Sequence, residues 1–219
     1  MAETLLSMRN RILTRIGNKA GWEAAVDANI NEAIRQVVQM FRPQECWADY
    51  TFSASSGTSE YAFTTIGITT NTAWAIMMVR DDTDDVEVFR GSMREYNRNK
   101  KDTSVAGNLG DPRRWTRFAN SLVLYSKIPD STTRTMRLTV LEFPAAITAT
   151  TDAFPLNDEW VLPVERLATA LTWADLNDMA KHQLHMQLFN ETVSTREKPE
   201  SVEDEAPEAQ LVPYVEDFD

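Results

Sequence analysis

Cysteine, histidine, glycine and long apolar runs are all scarce in this chain of 219 residues. The single cysteine, Cys46, excludes an internal disulfide and favours a compartment that keeps thiols reduced. The seven glycines are scattered and form no phosphate-binding loop, and no serine lies in a G-x-S-x-G elbow. The longest apolar run, residues 73–79, is far too short to cross a bilayer, and the N-terminus lacks the apolar core of a signal peptide. We therefore expect a cytoplasmic protein that needs no cofactor and carries no enzyme signature.

The only two histidines, His182 and His185, are the candidates for a metal site. They lie three residues apart on a predicted helix, with Asp178 one turn earlier. Metal sites in helical bundles also need Glu-x-x-His motifs, and none occurs here. We therefore expect His182 to be a packed core or rim residue, and a metal hydrolase is a remote alternative. The acidic run RDDTDDVE at 80–87 lacks the spacing of a calcium loop and is predicted to be a solvated turn.

Acidic residues outnumber basic ones, and most of the excess lies at the end of the chain. The net charge is −11, and residues 197–219 account for −8 of it, with nine acids and one base. The remainder of the chain therefore lacks the basic excess that drives contacts with nucleic-acid phosphates. Aromatic Tyr96, Trp115 and Phe118 interleave with local basic clusters, which are Arg90, Arg94, Arg98, Lys100 and Lys101, then Arg113, Arg114 and Arg117. We favour a solvated or protein-docking face here, and a nucleic-acid face stays open as the alternative.

The period of the apolar pattern divides the chain into helical ends and a strand-rich middle. Helical spacing predicts one helix ending at Gly17-Asn18, a second ending at Arg42 before Pro43, and two more after residue 160. The last of these carries a predicted apolar stripe of Met179, His182, Met186, Phe189 and Val193. In the middle the period changes to two, which predicts strands. The segments YTFSAS and EYAFTT should form a hairpin, and RRWTRFA, SLVLYSK and RTMRLTVLEFP a meander.

These elements predict an α+β fold with a helical frame and an inserted sheet domain. The N- and C-terminal helix pairs (1–47 and 151–196) would form a helical bundle, because each pair has an apolar face that needs a partner. Residues 48–150 would form an inserted antiparallel β domain. Residues 197–219 would form an extended acidic C-terminal arm.

Several phrases of this sequence resemble the head-to-tail adaptor (head-completion) proteins of tailed bacteriophages. The resemblance covers roughly residues 22–190, in the same order of segments. It is carried by NEAIRQV at 31–37, YAFTT at 61–65, GDPRRWTR at 110–117, LVLYSKIPD at 122–130 and AFPLNDEW at 153–160.

The resemblance implies a structural protein of the virion neck without enzymatic activity. It implies a homo-oligomeric ring, a dodecamer, that docks beneath the portal protein, completes the filled head and carries a downstream tail or nozzle protein. Genomic DNA would pass through the ring without sequence-specific binding, and like charge would keep the duplex from sticking to it. No membrane partner is expected. A tail-tube terminator or another tail structural protein is the alternative, and a nucleic-acid-binding regulator is a remoter one.

The last twenty residues, ESVEDEAPEAQLVPYVEDFD, combine two opposed features. Acidity and proline predict a solvated segment, whereas the apolar residues near the end predict a strip that docks on a partner. Those apolar residues are Leu211, Val212, Tyr214, Val215 and Phe218. We expect them to anchor an assembly arm, and we expect Arg113, Arg114 and Trp115 to bind a partner as well.

Overall fold

The computed structural model describes residues 3–69, 73–99, 109–125, 127–130 and 134–194. The described residues divide into two compact units, a helical unit (residues 3–46 and 143–194) and a β unit (the described residues within 47–142). The expected mixed α+β class is confirmed. In chain order the helices and strands are α1 (Leu5–Arg15), α2 (Glu23–Phe41), β1 (Trp47–Ala54), β2 (Glu60–Ala62), α3 (Phe63–Ile66), β3 (Ala73–Asp81), β4 (Val86–Glu87), β5 (Phe89–Arg90), α4 (Met93–Asn99), β6 (Arg114–Phe118), β7 (Ser121–Tyr125), β8 (Arg134–Glu142), α5 (Val161–Asp175) and α6 (Met179–Val193).

Local capping sets the ends of the first two helices. Thr4 begins α1, because its hydroxyl accepts a hydrogen bond from the Ser7 backbone N–H at 3.3 Å. α2 ends at Phe41, where Arg42 adopts a left-handed conformation (φ 48°) just before Pro43. The predicted end of α2 is therefore confirmed. Among the described helices, none has the length and apolar character that a bilayer span requires.

Helix α5 is the centre of the helical unit, since it packs against α1, α2 and α6. Its buried residues lie on every side of the helix and include Leu167, Thr169 and Trp173. In α6, by contrast, the buried residues are Phe189 and Val193, whereas Met179 is exposed. The predicted stripe is therefore wrong at Met179, although the first turn of α6 still contacts α5 through Lys181, whose Nζ lies 3.9 Å from the centroid of the Trp173 ring.

The segment that follows β8 belongs with the helices. Residues 143–150, assigned above to the inserted β domain, are part of the helical unit. The Asn31 side chain of α2 donates to the Ile147 carbonyl and accepts from its N–H, each at 2.9 Å. This pair of hydrogen bonds satisfies the backbone N–H and carbonyl of Ile147, which have no strand partner.

The β unit consists of two four-stranded sheets that share one apolar core. The strand orders are β1-β8-β3-β4 and β2-β7-β6-β5, and all the neighbours are antiparallel except β5 and β6. Buried side chains from both sheets form one cluster, in which Trp115 of β6 and Leu138 of β8 are fully buried. Because burying each large aliphatic side chain stabilises the fold by roughly 1.5–3 kcal/mol, this shared core holds the two sheets together.

Two of the predicted strand pairings are wrong. β1 and β2 form no hairpin, because Trp47 of β1 lies opposite Leu141 of β8, and Tyr61 of β2 lies opposite Leu122 of β7. β8 also leaves the predicted meander, although β6 and β7 pair as expected. The reason is that β8 is buried on both faces and lies between β1 and β3. A central strand needs a partner on each edge, and turn signals in the sequence do not show which strands those are.

A buried arginine connects three segments of the β unit. Arg134, the first residue of β8, contacts Asp81 at the end of β3, Asp84 in the following turn (2.7 Å) and Asp111 before β6 (2.5 Å). Burial lowers the pKa of Arg134, but the hydrogen bonds to Asp84 and Asp81 outweigh this and raise it. Asp81 is itself 2% exposed, so the predicted solvated turn is wrong for this residue. Asp81 and Asp84 instead connect this turn to β8 through their ion pairs with Arg134.

Replacing Arg134 with methionine should destabilise the protein by roughly 3–5 kcal/mol, because Asp81 would stay buried without its partner. Arg137→Met is the matched control on the same strand. Its ion pair with Asp82 (2.9 Å) involves an arginine side chain that is 43% exposed, so its loss should cost no more than about 1 kcal/mol. Urea unfolding of the full chain, followed by tryptophan fluorescence, measures both changes. Equal losses for the two variants would show that the buried pair has no special role.

Candidate protein-binding surface

Two phenylalanines are the large apolar side chains most exposed in the described part of the β unit. Phe89 is 58% exposed on the edge strand β5, and Phe118 is 54% exposed at the end of β6. Phe89 lies beside Arg114 in the strand register. Arg114 and Phe118 are four residues apart on β6, so they share one face of the sheet and lie about 13 Å apart, with the buried Thr116 between them. We call Phe89, Arg114 and Phe118 the aromatic–arginine face.

Helix α4 packs against β6 and brings Glu95 near Arg114. The Tyr125 hydroxyl of β7 donates to Glu95 Oε2 of α4 at 2.9 Å, and the Tyr96 ring meets the Tyr125 ring edge-on. Burial, together with Glu95, raises the pKa of Tyr125, so the phenol remains a donor at neutral pH. Arg114 Nε lies 3.9 Å from Glu95, and Arg114 Nη1 donates to the Arg90 carbonyl at 3.3 Å. The hydrogen bond to the Arg90 carbonyl directs the guanidinium toward β5, while the side chain stays 46% exposed.

Gly91 is what allows α4 to approach the sheet this closely. A Cβ atom at this position would lie 1.5 Å from the Tyr125 hydroxyl oxygen and 2.7 Å from Glu95 Oε2. The Gly91 N–H also donates to the Trp115 carbonyl at 2.7 Å, which keeps the backbone against β6. No motif in the sequence marks this glycine, because the need for it arises from contacts with distant residues.

The structure separates the three residues that were expected to bind a partner at 113–115. Arg113 and Arg114 are exposed, whereas Trp115 is fully buried in the core shared by the two sheets. Arg113 precedes β6, and within β6 the successive side chains of Arg114 and Trp115 point to opposite faces of the sheet. The prediction for Trp115 is therefore corrected: its side chain stabilises the unit and is not part of the exposed surface.

Several of the other residues predicted to bind a partner are not among the described residues. The candidate anchors Leu211, Val212, Tyr214, Val215 and Phe218 lie outside the described residues, as do Lys100 and Lys101. The exposed Phe89 was missed, because an aromatic residue in a short apolar strand is more often part of a core. Its position opposite Arg114 on an edge strand could not be read from the sequence.

The candidate metal residues take structural positions in the helical unit. His182 Nδ1 donates to the Ala170 carbonyl at 2.9 Å, and Asp178 caps α6 by accepting from the Lys181 N–H at 3.1 Å. Within the described residues, no group of three or more His, Cys, Asp or Glu side chains could hold a metal ion. Burial, aided by Glu45, raises the pKa of Cys46 to about 12, so this thiol is a poor nucleophile at neutral pH.

Gly91→Ala should destabilise the protein by about 1–3 kcal/mol, because the new methyl group overlaps the Tyr125 hydroxyl. The loss should be smaller when Tyr125 is first replaced by leucine, which lacks the distal part of the ring. A double-mutant cycle measured by urea unfolding tests this coupling. Additive losses would show that Gly91 and Tyr125 do not constrain one another.

The stability of the helical unit should decrease as the pH falls from 7.5 to 5.5. Burial of His185 and the nearby Arg15 and Arg166 lower its pKa, so the unfolded state binds the proton more readily. The stabilising contribution is therefore complete above about pH 6.5 and is lost on acidification. His185→Gln should flatten the dependence of the unfolding free energy on pH over this range. An unchanged pH profile in His185→Gln would contradict this assignment.

The comparisons with known proteins bear on both units. The family model described as SU10 adaptor protein matches residues 3–212, which includes all the described residues. No curated protein matches the chain. The match confirms the resemblance carried by NEAIRQV, GDPRRWTR and AFPLNDEW, and it supports a phage structural protein. The chain therefore belongs to the SU10 adaptor protein family, a family of phage head-to-tail adaptors.

Proposed function

We propose that this chain assembles into a dodecameric ring beneath the portal of a phage head. There it completes the filled head, lines the DNA exit channel and provides the platform to which the tail attaches. The observation that carries the proposal is the family match over residues 3–212. In this role the terminal helix pairs act as a bundle, and residues 197–219 act as an acidic arm.

The proposed role needs binding energy and no catalysis. A ring closes when each subunit joins its neighbour through unlike patches, so each subunit must present two different surfaces. The aromatic–arginine face is suited to be one of them, because aromatic and arginine side chains dominate the energetics of protein interfaces. Its support from α4, Tyr125 and Gly91 limits the conformational entropy that binding would cost.

The charge distribution supports passage of DNA without capture. A net charge of −11 repels the duplex on average and lowers non-specific affinity for its phosphates. The second candidate function, a nucleic-acid-binding regulator, is favoured by the exposure of both Arg113 and Arg114. A mobility shift that persists near physiological salt would support this regulator, since a contact made by a few charges fades steeply as salt increases.

Mixing the full chain with portal rings of the same phage tests the proposed function. We expect the chain to sediment with the portal at a saturating ratio of one copy per portal subunit, and negative-stain images should show an added ring at one end. A free chain that is monomeric agrees with the proposal, because the portal itself can provide the template for the ring. Failure to attach to portal rings over a wide range of concentration and salt would rule the proposal out.

A further inference from the structure

The segments that carry the aromatic–arginine face, and helix α4 beside it, are rich in arginine. Residues 89–99 and 113–118 contain a single acid, Glu95, and six arginines, which are Arg90, Arg94, Arg98, Arg113, Arg114 and Arg117. Arg114 lies 3.9 Å from Glu95, a separation typical of a weak surface pair. A second carboxylate could therefore reach the exposed guanidinium. Residues 197–219, with nine acids and one base, are the most acidic segment of the chain.

The spacing of the aromatic residues in the acidic segment matches the spacing along the aromatic–arginine face. Arg114 and Phe118 lie about 13 Å apart along β6. Phe89 lies beside Arg114 on the neighbouring strand β5. In the acidic segment, Tyr214 and Phe218 are four residues apart. An extended chain would separate these two rings by the same distance, about 13 Å, and place them on one side. Glu216 and Asp217 lie between them and would supply carboxylates close to the arginines.

We propose that residues 211–218 of one copy bind the aromatic–arginine face of a neighbouring copy. Tyr214 and Phe218 contact the two phenylalanines, and Glu216 pairs with Arg114. Pro207 and Pro213 reduce the freedom of the unbound segment and so lower the entropic cost of docking. The choice of a neighbouring copy rests on the proposed ring, because a segment that binds its own body adds no contact between subunits.

A peptide-binding measurement tests the match between segment and face. The protein used is the full chain in which Leu211, Val212, Tyr214, Val215 and Phe218 are replaced by serine, so that its own segment does not compete. A fluorescent peptide of residues 197–219 should bind this variant, as measured by anisotropy, and binding should weaken as salt is raised. Adding Arg114→Gln or Phe118→Ser should each weaken binding at least tenfold.

The control is Arg137→Gln, which neutralises another exposed strand arginine of the β unit and should leave peptide affinity unchanged. Phe118 is exposed, so its replacement should not disturb the core, and an unchanged urea midpoint verifies this. No binding by the parent variant, or equal binding by Arg114→Gln, Phe118→Ser and Arg137→Gln, would overturn the proposal.

A cross-linking experiment distinguishes a neighbouring copy from the same copy. Ser121 lies opposite Phe118 in the register of β6 and β7, so Ser121→Cys on one chain should meet Asp219→Cys on another. Both chains carry Cys46→Ala and tags of different size, and they are mixed above the dissociation constant of the peptide. A disulfide-linked pair of mixed size is expected. In a chain that carries both cysteines, a cross-link formed only within single molecules would overturn the choice of a neighbouring copy.

These experiments use no portal protein, so their outcome is separate from that of portal attachment. Peptide binding without portal attachment would contradict the proposed function alone. Portal attachment without peptide binding would contradict the docking of residues 211–218 alone.

Discussion

The arrangement of the β unit depends on one buried charge. Arg134 lies at the start of the central strand β8 and meets carboxylates from the end of β3, from the turn after it and from the segment that leads into β6. The apolar core supplies most of the stabilising free energy, but apolar contacts have no direction and tolerate sliding. Buried ion pairs add little net stability, because desolvation opposes the Coulomb attraction, yet leaving one partner alone is costly. The Arg134 cluster therefore fixes where the chain enters β6, and with it the position of Arg113 and Arg114.

The position of β6 in turn determines where the side chains of the exposed surface lie. Alternation directs Trp115 inward and Arg114 outward, and the core contacts of Trp115 keep the strand from shifting. Gly91 then permits α4 to lie against Tyr125, and Glu95 of α4 contacts both Tyr125 and Arg114. A binding surface in an assembly protein benefits from such support, because side chains already held in place lose less entropy on association. The residues proposed to bind are thus exposed, while the residues that position them are buried or half-buried.

Local features of this fold could be predicted from the sequence, and long-range ones could not. The end of α2 follows from Arg42 and Pro43, and the pairing of β6 with β7 follows from a tight turn between two alternating strands. The partners of β1 and β8 depend on contacts about 90 residues apart, for which turn residues give no signal. Asp81 and Arg134 are 53 positions apart, so an acidic run looked solvated although one of its members is buried. For the site, the basic cluster at 113–117 was visible, but the inward direction of Trp115 and the exposure of Phe89 are decided by which face of each sheet is covered.

The family assignment and the physical character of the surface support the same interpretation. A chain with an exposed aromatic–arginine face and a strongly acidic C-terminal segment is suited to repeated protein contacts. A cryo-electron microscopy reconstruction of the intact virion neck is the decisive measurement. Twelve copies of this chain should form a single ring directly beneath the portal, between the head and the tail. Density for the chain at any other place in the virion, or no density for it in the neck, would show that the proposed role is wrong.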